Sequence, residues 1–330
     1  WLILCVVVDD VSGATNSKRF LADFDTHMRK HPVTGGGEVD WLLNNKYIRD
    51  RAARTISISF RARIDAMMLE HLPDEMRRVK YPPTPCHPHL DNLASAPEIE
   101  MSSERYQKVR RCLAQLLYLA KQGRFELLYF VHRASVSISR KSKLLEECIF
   151  YALLYVFGTR DVHLVLGGDN HIVSAAADGA FSDPGPCVTV WAVKVGASTI
   201  QAVARKPGFT TLSTSDQELV AVSGCVASVL SFRELAREFG MPQHDASKIG
   251  CDNNSVVLIS RAAASFKSSL YLARRAVFVQ ESTQERHCEV EDIDTKVNYS
   301  DILSKNFHKH PKMFASHRDR LLNTVSLMPT

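Results

Sequence analysis

Four acidic residues stand where the chain changes direction. Asp178 ends the run HIVSAAAD, and Glu218 lies in the first turn of a long segment with an apolar stripe. Asp252 closes SKIGCD, and Asp301 stands near the start of SDILSK. Strand ends and helix starts beside one sheet bring together side chains that are distant along the chain. Four convergent carboxylates suit two-metal phosphodiester hydrolysis, in which two Mg2+ ions about 3.5–4 Å apart activate a water and stabilise the departing oxygen. Hard cations take oxygen ligands, and Mg2+ keeps some waters and takes phosphate oxygens too. The same acids also suit four unrelated cap or turn positions, where Asp is common. Spacing alone leaves both readings open.

Another acidic pair comes at the start, where WLILCVVVDDVSGA runs from an apolar strand into Asp9 and Asp10. Adjacent anions repel unless a cation meets them. The pair reads as a strand end followed by a turn, or as divalent-metal ligands at a strand terminus. Cys86, His87 and His89 in PTPCHPHL lack the second half of a zinc site and read as a plain loop.

The elements that would position these residues follow from periodicity. Residues 1–90 mix strands and helices: a strand to Asp9–Asp10, a helix over Lys18–Arg29, strands in WLLNNKYIRD and TISISF, and a helix near Arg61–His71. YPPTPCHPHL is a proline-rich connector, and the residues after it to about Glu100 read as an exposed linker. Residues 91–162 read as a helical spacer of two helices. One is striped by Val109, Leu113, Leu116, Leu117 and Ala120, the other by Leu145, Ile149, Leu153 and Val156. Gly158 stands where a left-handed residue would end the second. From residue 163 to 330 the pattern alternates. HLVLGG, HIVSAAAD, CVTVWAVKV, ASTIQAVAR and FTTLS read as strands. A long helix from Ser215 to Phe239 stops at Gly240. SKIGCD, a helix near Ser268–Gln284, the strand CEVEDID and a final basic helix complete an α/β domain.

The chain has 330 residues, 45% hydrophobic and 23% charged, with a formal net charge of +5, so it has enough length for several cores. Between Met101 and Leu145 there are ten Lys or Arg against Glu104 and Glu126. Arg105, Lys108, Arg110, Arg111 and Arg124 are the candidate phosphate contacts. A solvated helix face is the other reading of the same charges. The eight cysteines form no C-x-x-C pair, which suits reduced thiols and an intracellular, cytoplasmic setting. The opening apolar run is too short to span a bilayer, so no membrane partner is expected.

Several segments, in order, resemble the C-terminal part of a copia-type LTR-retrotransposon Pol polyprotein, the end of its reverse transcriptase followed by its ribonuclease H domain. VVDD (Val7–Asp10) is similar to the polymerase Y-V-D-D box, and WLLNNKYIRDRAARTISIS to F-L-G-x-x-I-x-R-D and its following strand. Thr84–Pro85 resembles the T-P that closes the palm-proximal region. YQKVRRCLAQLLYLAKQGRFELLYFV and YALLYVFGTRD resemble the family's connecting helices. ADGAFSD, TTLSTSDQELVAV, GCDNNSVV and DTKVNYSDILSKNF resemble the four ribonuclease H boxes that carry Asp178, Glu218, Asp252 and Asp301. The chain departs from the family at Val7, Arg111, Phe125, Asp216 and Leu219.

The resemblance implies a truncated palm and thumb-connection region followed by a ribonuclease H-like mixed sheet flanked by helices. It implies Mg2+ as cofactor, with Mn2+ as the alternative, and the RNA strand of an RNA/DNA hybrid as substrate. Asp178 and Asp252 would hold the metals directly, Glu218 would complete the first site, and Asp301 would assist the metal on the water side. Asp9 and Asp10 would be two of three polymerase ligands. The third, with the fingers and the first half of the palm, would belong to the upstream reverse transcriptase, so DNA synthesis is not expected of this segment; the upstream reverse-transcriptase and integrase parts of the polyprotein are the implied partners. Two other outcomes stay open: a catalytically inactive nucleic-acid-binding remnant, and a translated decayed copy with no stable fold.

Overall fold

The computed structural model describes residues 2–7, 10–15, 17–32, 37–72, 80–180, 187–262 and 272–324. Within them the chain is a mixed α/β protein with three sheets. Strands β1 (Leu2–Val7) and β2 (Asp10–Thr15) form an antiparallel hairpin in which Val7 pairs with Asp10. Helix α1 (Lys18–Met28) follows, with Ser17 as its N-cap.

A four-stranded antiparallel sheet comes next, in the order β3 (Trp41–Leu42), β4 (Asn45–Asp50), β5 (Thr55–Ser59), β6 (Leu164–Gly167). The run HLVLGG therefore joins the sheet of residues 41–59, not the later one. Ile58 and Leu164, paired across β5 and β6, are both buried, so burial draws the strand back to the early sheet.

Helix α2 (Arg61–His71) leads towards the helical body of α3 (Ser103–Gln122), α4 (Leu128–Val136) and α5 (Lys143–Gly158). Two helices were expected here and three form. ELLYFVHRA has no polar face, because Leu128, Tyr129, Phe130, Val131 and Ala134 are all buried, so helical periodicity does not show. The stretch after the prolines is no exposed linker. Leu90–Ser95 is a 3-10 turn with Leu90 and Leu93 in the core, and Asp91 Oδ1 accepts a 2.7 Å bond from Tyr129. Gly158 is helical rather than left-handed. It is small because Tyr81 packs on it, with a Cβ placed there falling 2.5 Å from the tyrosine's own Cβ. Gly123, at φ +146°, is the residue that ends α3.

The last sheet has the order β11 (Cys288–Asp292), β10 (Ser247–Cys251), β7 (Val173–Ala180), β8 (Val188–Val195), β9 (Ser198–Arg205). β7, β8 and β9 are antiparallel, whereas β10 runs parallel to β7 and to β11. This is the expected mixed sheet flanked by helices. Helices α6 (Thr214–Glu238), α7 (Asn254–Ser260) and α8 (Ala273–Gln284) cover one face, where Val173, Ala175, Ala177, Trp191 and Val193 meet Leu219, Val222, Val226 and Val279. The other face packs Val190 and Ala192 against the helical body and α9 (Pro311–Leu322). FTTLS is a loop leading to the Ser213 N-cap, not a strand. Helix α7, which begins on an Asn253 cap, was not anticipated.

Candidate metal centre

β7 is where the antiparallel and parallel halves of the last sheet meet. Crevices at the carboxyl ends of strands, where the chain leaves in opposite directions, are the usual ligand sites of open α/β sheets. Gly250 of β10 pairs with Ala176 of β7, so two residues further on Asp252, just past the end of β10, stands beside Asp178, which is not the strand end the sequence suggested, because pairing to β8 carries β7 on to Ala180. Side chains alternate along β7. Val173, Ala175 and Ala177 enter the α6 core, which leaves Asp178 on the other face, towards the turn Tyr299–Leu303.

The third acid arrives on α6. Asp216 and Glu218 lie at the start of that helix, and Gly179 allows the approach. A Cβ on Gly179 would stand 2.6 Å from the Gln217 carbonyl carbon and 2.8 Å from the Glu218 nitrogen. With that space empty, the Gly179 N–H donates to Glu218 Oε2 at 3.1 Å. One carboxylate oxygen each from Asp178, Glu218 and Asp252 then lie within 4.8 Å of one another. Asp178 and Glu218 are buried and Asp252 is half-buried.

Asp301 stands beside this triad without joining its tightest grouping. It sits in the Tyr299–Leu303 turn, 1% exposed, with Oδ2 2.8 Å from Lys305 Nζ. The same ammonium is 3.7 Å from Asp178 Oδ2, and the Ser304 hydroxyl donates to that Asp178 oxygen. Asp301 Oδ1 is buried with no hydrogen-bond partner. Ser304, Lys305 and Gly179 were not singled out from the sequence. The i, i+4 spacing of Asp301 and Lys305 was the signal available for the lysine.

The electrostatics are unbalanced. Burial, then Asp178 and Asp252, pushes the Glu218 carboxyl up to about 9. Burial and then Asp178 raise Asp301 to about 7, although Lys305 pulls it down. Four carboxylates around one ammonium hold an excess of negative charge that only protons or further cations relieve. An all-oxygen donor set, an orphaned buried carboxylate oxygen and this excess fit a hard divalent cation. Asp178, Glu218 and Asp252 are the residues that would hold one, and Asp178 with Asp301 offer ligands on the far side.

The other candidates are placed differently. Asp9 and the side chain of Asp10 lie outside the described residues. Lys108 and Arg110 are exposed on α3, the latter with its guanidinium 5.7 Å over the Tyr106 ring. Arg105 is held by Glu146, with Nε 2.6 Å from Oε1, and Arg111 by Glu70 at 3.2 Å. Arg124 cannot meet a surface ligand. It is fully buried, 2.7 Å from Glu126, and bonded to Thr159. Its acidic partner lies two residues on, but burial of both is decided by α5 packing over them. His87 and His89 place their rings 5.6 Å apart in the loop, and the three acids above are the metal-competent grouping among the described residues.

No family model matches the chain, and no curated protein matches it. Solved structures do match in part. A ribonuclease H1 from the halophilic archaeon Halobacterium salinarum is 20% identical with a TM-score of 0.31, over 40% of this chain and 93% of that one. A ribonuclease H1 isolated from compost, solved in complex with an RNA/DNA hybrid, is 15% identical with a TM-score of 0.33, over 40% and 93%. The N-terminal ribonuclease H domain of a Mycobacterium tuberculosis protein is 16% identical with a TM-score of 0.33, over 44% and 99%.

Proposed function

We propose that the chain is a ribonuclease H-type hydrolase that cuts the RNA strand of an RNA/DNA hybrid with divalent metal, Mg2+ first and Mn2+ as the alternative. The observation that carries the reading is the meeting of Asp178 of β7, Asp252 just past the neighbouring parallel strand β10, and Glu218 at a helix start, within 4.8 Å of one another. The sheet order, with an antiparallel β7-β8-β9 unit followed by parallel β10 and β11, supports it as well.

Bound divalent cations supply a polarised water and neutralise charge on the departing oxygen. The chain's own part is positional. Asp178 faces Glu218 and Asp252 on one side and Lys305 on the other, and the Ser304 hydroxyl fixes its carboxylate. The Gly179 N–H orients Glu218, and the Asp301 oxygen left without a partner is free to accept from water. Burial of Asp178, Glu218 and Asp301 keeps bulk solvent from screening these charges.

The finer reading, a segment of a copia-type retrotransposon Pol polyprotein working beside upstream reverse-transcriptase and integrase parts, rests on the ordered sequence boxes. An intracellular site of action follows from the same reading and suits the seven described cysteines, all free thiols. Incubation with a labelled hybrid and Mg2+ tests the activity. Cleavage confined to the RNA strand, reduced at least 100-fold by Asp252→Asn, is the expected result, and undiminished cleavage by that variant refutes the assignment. The second reading, binding without catalysis, has one observation in its favour: Lys305 already lies between Asp178 and Asp301. Hybrid binding with no cleavage in Mg2+ or Mn2+ would select it.

A further inference from the structure

On the face of the last sheet opposite Asp178 lies an open cavity of about 750 Å3, lined by Trp191 of β8, by β9, the middle of α6 and the start of α8. Its walls carry Arg205, Arg274 and Arg275. The Arg205 guanidinium lies 4.7 Å over the Trp191 ring, and Arg275 lies 5.4 Å over the Phe209 ring. Arg275 also donates to Ser223 Oγ at 2.9 Å. The indole rests against Gly224, where a Cβ would come within 2.9 Å of its ring, and donates to Ser228 Oγ at 3.0 Å.

Among the described residues, the charges in this cavity meet no carboxylate. Arg54, Arg61, Arg105 and Arg111 each meet a carboxylate elsewhere in the molecule. Among the described residues, none of Arg205, Arg274 and Arg275 does. Burial, and then proximity to Arg205, disfavours the charged form of Arg275. The α8 helix adds to the imbalance, since its first turn holds no acid and two of its first three residues are arginines at the positive end of the helix dipole. From Asn253 to Gln280 the chain has Arg261, Lys267, Arg274 and Arg275 and no Asp or Glu. An arrangement of like charges at a helix N-terminus is stable when an anion sits among them.

We propose that this cavity is a nucleotide-unit site, in which Arg205 and Arg275 clamp a phosphate and Phe209, Phe232 and Phe278 flank the attached sugar and base. Guanidinium forks match phosphate oxygens, and the cavity has room beyond a bare phosphate for what the phosphate carries. Bases add about 1–3 kcal/mol each where they stack on aromatic rings. The phosphate has two sources, a nucleic-acid backbone or a free nucleotide. The site is separate from the acidic centre. Ser223 to Ser231 follow Glu218 by five to thirteen residues on α6, which is about 8–20 Å along the axis, and they occupy another side of the helix. The inference stands whether or not the acidic centre cuts.

The experiment uses the full chain in EDTA, so that no metal draws substrate to the acids. A fluorescein-labelled single-stranded oligonucleotide and an RNA/DNA hybrid are titrated at several salt concentrations, and adenosine monophosphate is titrated separately by thermal shift. The variants are Arg205→Gln/Arg275→Gln and, because the double change exposes Trp191, Arg274→Glu, which lies at the surface. If the backbone is the source, the double variant weakens oligonucleotide binding about 10-fold or more and flattens the log–log salt slope by about 1–2. Arg274→Glu weakens binding in the same direction. If the source is a free nucleotide, adenosine monophosphate raises the melting temperature of the unaltered protein but of neither variant, and oligonucleotide affinity does not change. Unaltered affinity and slope in both variants, with no nucleotide-induced shift, overturns the proposal. Cleavage in Mg2+, scored separately, bears on the acidic centre alone.

Discussion

A divalent cation at the acidic centre would compete with protons on Glu218 and Asp301. Their carboxyls lie above the ordinary range, near 9 and 7, for reasons of burial and of neighbouring acids. The folded metal-free protein therefore binds protons more tightly than the unfolded chain does. The stability linked to these groups is complete below the ordinary carboxylate range and is lost as pH rises through about 7 and then about 9. The melting temperature of the metal-free protein should fall across that window, and Glu218→Gln should flatten its upper part. Metal affinity should rise over the same window, because binding releases a proton. Calorimetry in buffers of different ionisation enthalpy reads that release, and a binding constant indifferent to pH would contradict it. Lys305→Met tests the charge balance from the other side. Its ammonium, 41% exposed, should be worth about 1–2 kcal/mol, below the ~3–5 kcal/mol of a fully buried pair. Its loss should lower the metal-free melting temperature and enlarge the rise on adding Mg2+.

Elements meet where small residues let them. α6 reaches β7 at Gly179, and the Glu218 carboxylate is held by the very N–H that this close approach exposes to it. Gly179→Ala places a methyl group against the backbone of Gln217, which cannot yield as a side-chain tip would. Overpacking of this kind costs about 1–3 kcal/mol. The helix start should shift, so metal affinity falls further than stability does, and a metal titration beside a melting curve separates the two. The end of α3 is tied to the end of α5 by Arg124, which bonds Thr159 and pairs with Glu126 in full burial. Arg124→Met leaves the buried Glu126 carboxyl without its cation, with only the Tyr155 hydroxyl donating to it, at a cost of about 3–5 kcal/mol. Denaturant unfolding measures it. A loss under 1 kcal/mol would contradict it.

At the scale of the whole molecule, the five-stranded sheet is a middle layer rather than the edge of an independent lobe. Val188, Val190 and Ala192 share one core with Leu113, Leu116, Phe130 and Leu153 of the helical body and with Phe314 and Leu321 of α9. β6 sits in the early sheet, though it precedes β7 by only a short loop. Residues 163–330 expressed alone would expose that shared face and leave β6 without its partner β5. Such a segment should melt at a lower temperature than the full chain and bind a hydrophobic dye. A melting temperature equal to that of the full chain would show that the shared core contributes nothing.

Local chemistry made much of this readable in advance. The apolar stripes of α3, α5 and α6 show at helical spacing, and β7 to β11 follow from short β-branched or small-residue runs between turn residues. Glu218, Asp252 and Asp301 were visible near element ends for the same reason, whereas β7 runs two residues past Asp178 because β8 pairs with it there. What the chain order could not disclose was company. Glu126 and Thr159 enclosing Arg124, Glu146 and Glu70 occupying Arg105 and Arg111, Lys305 turned in on Asp178, and β6 paired backward to β5 are all contacts between residues distant in sequence or defined by burial. An acid or a cation carries the same charge in every context. Whether it ends as ligand, counterion or core strut depends on what packs around it, and that is settled only when the layers close.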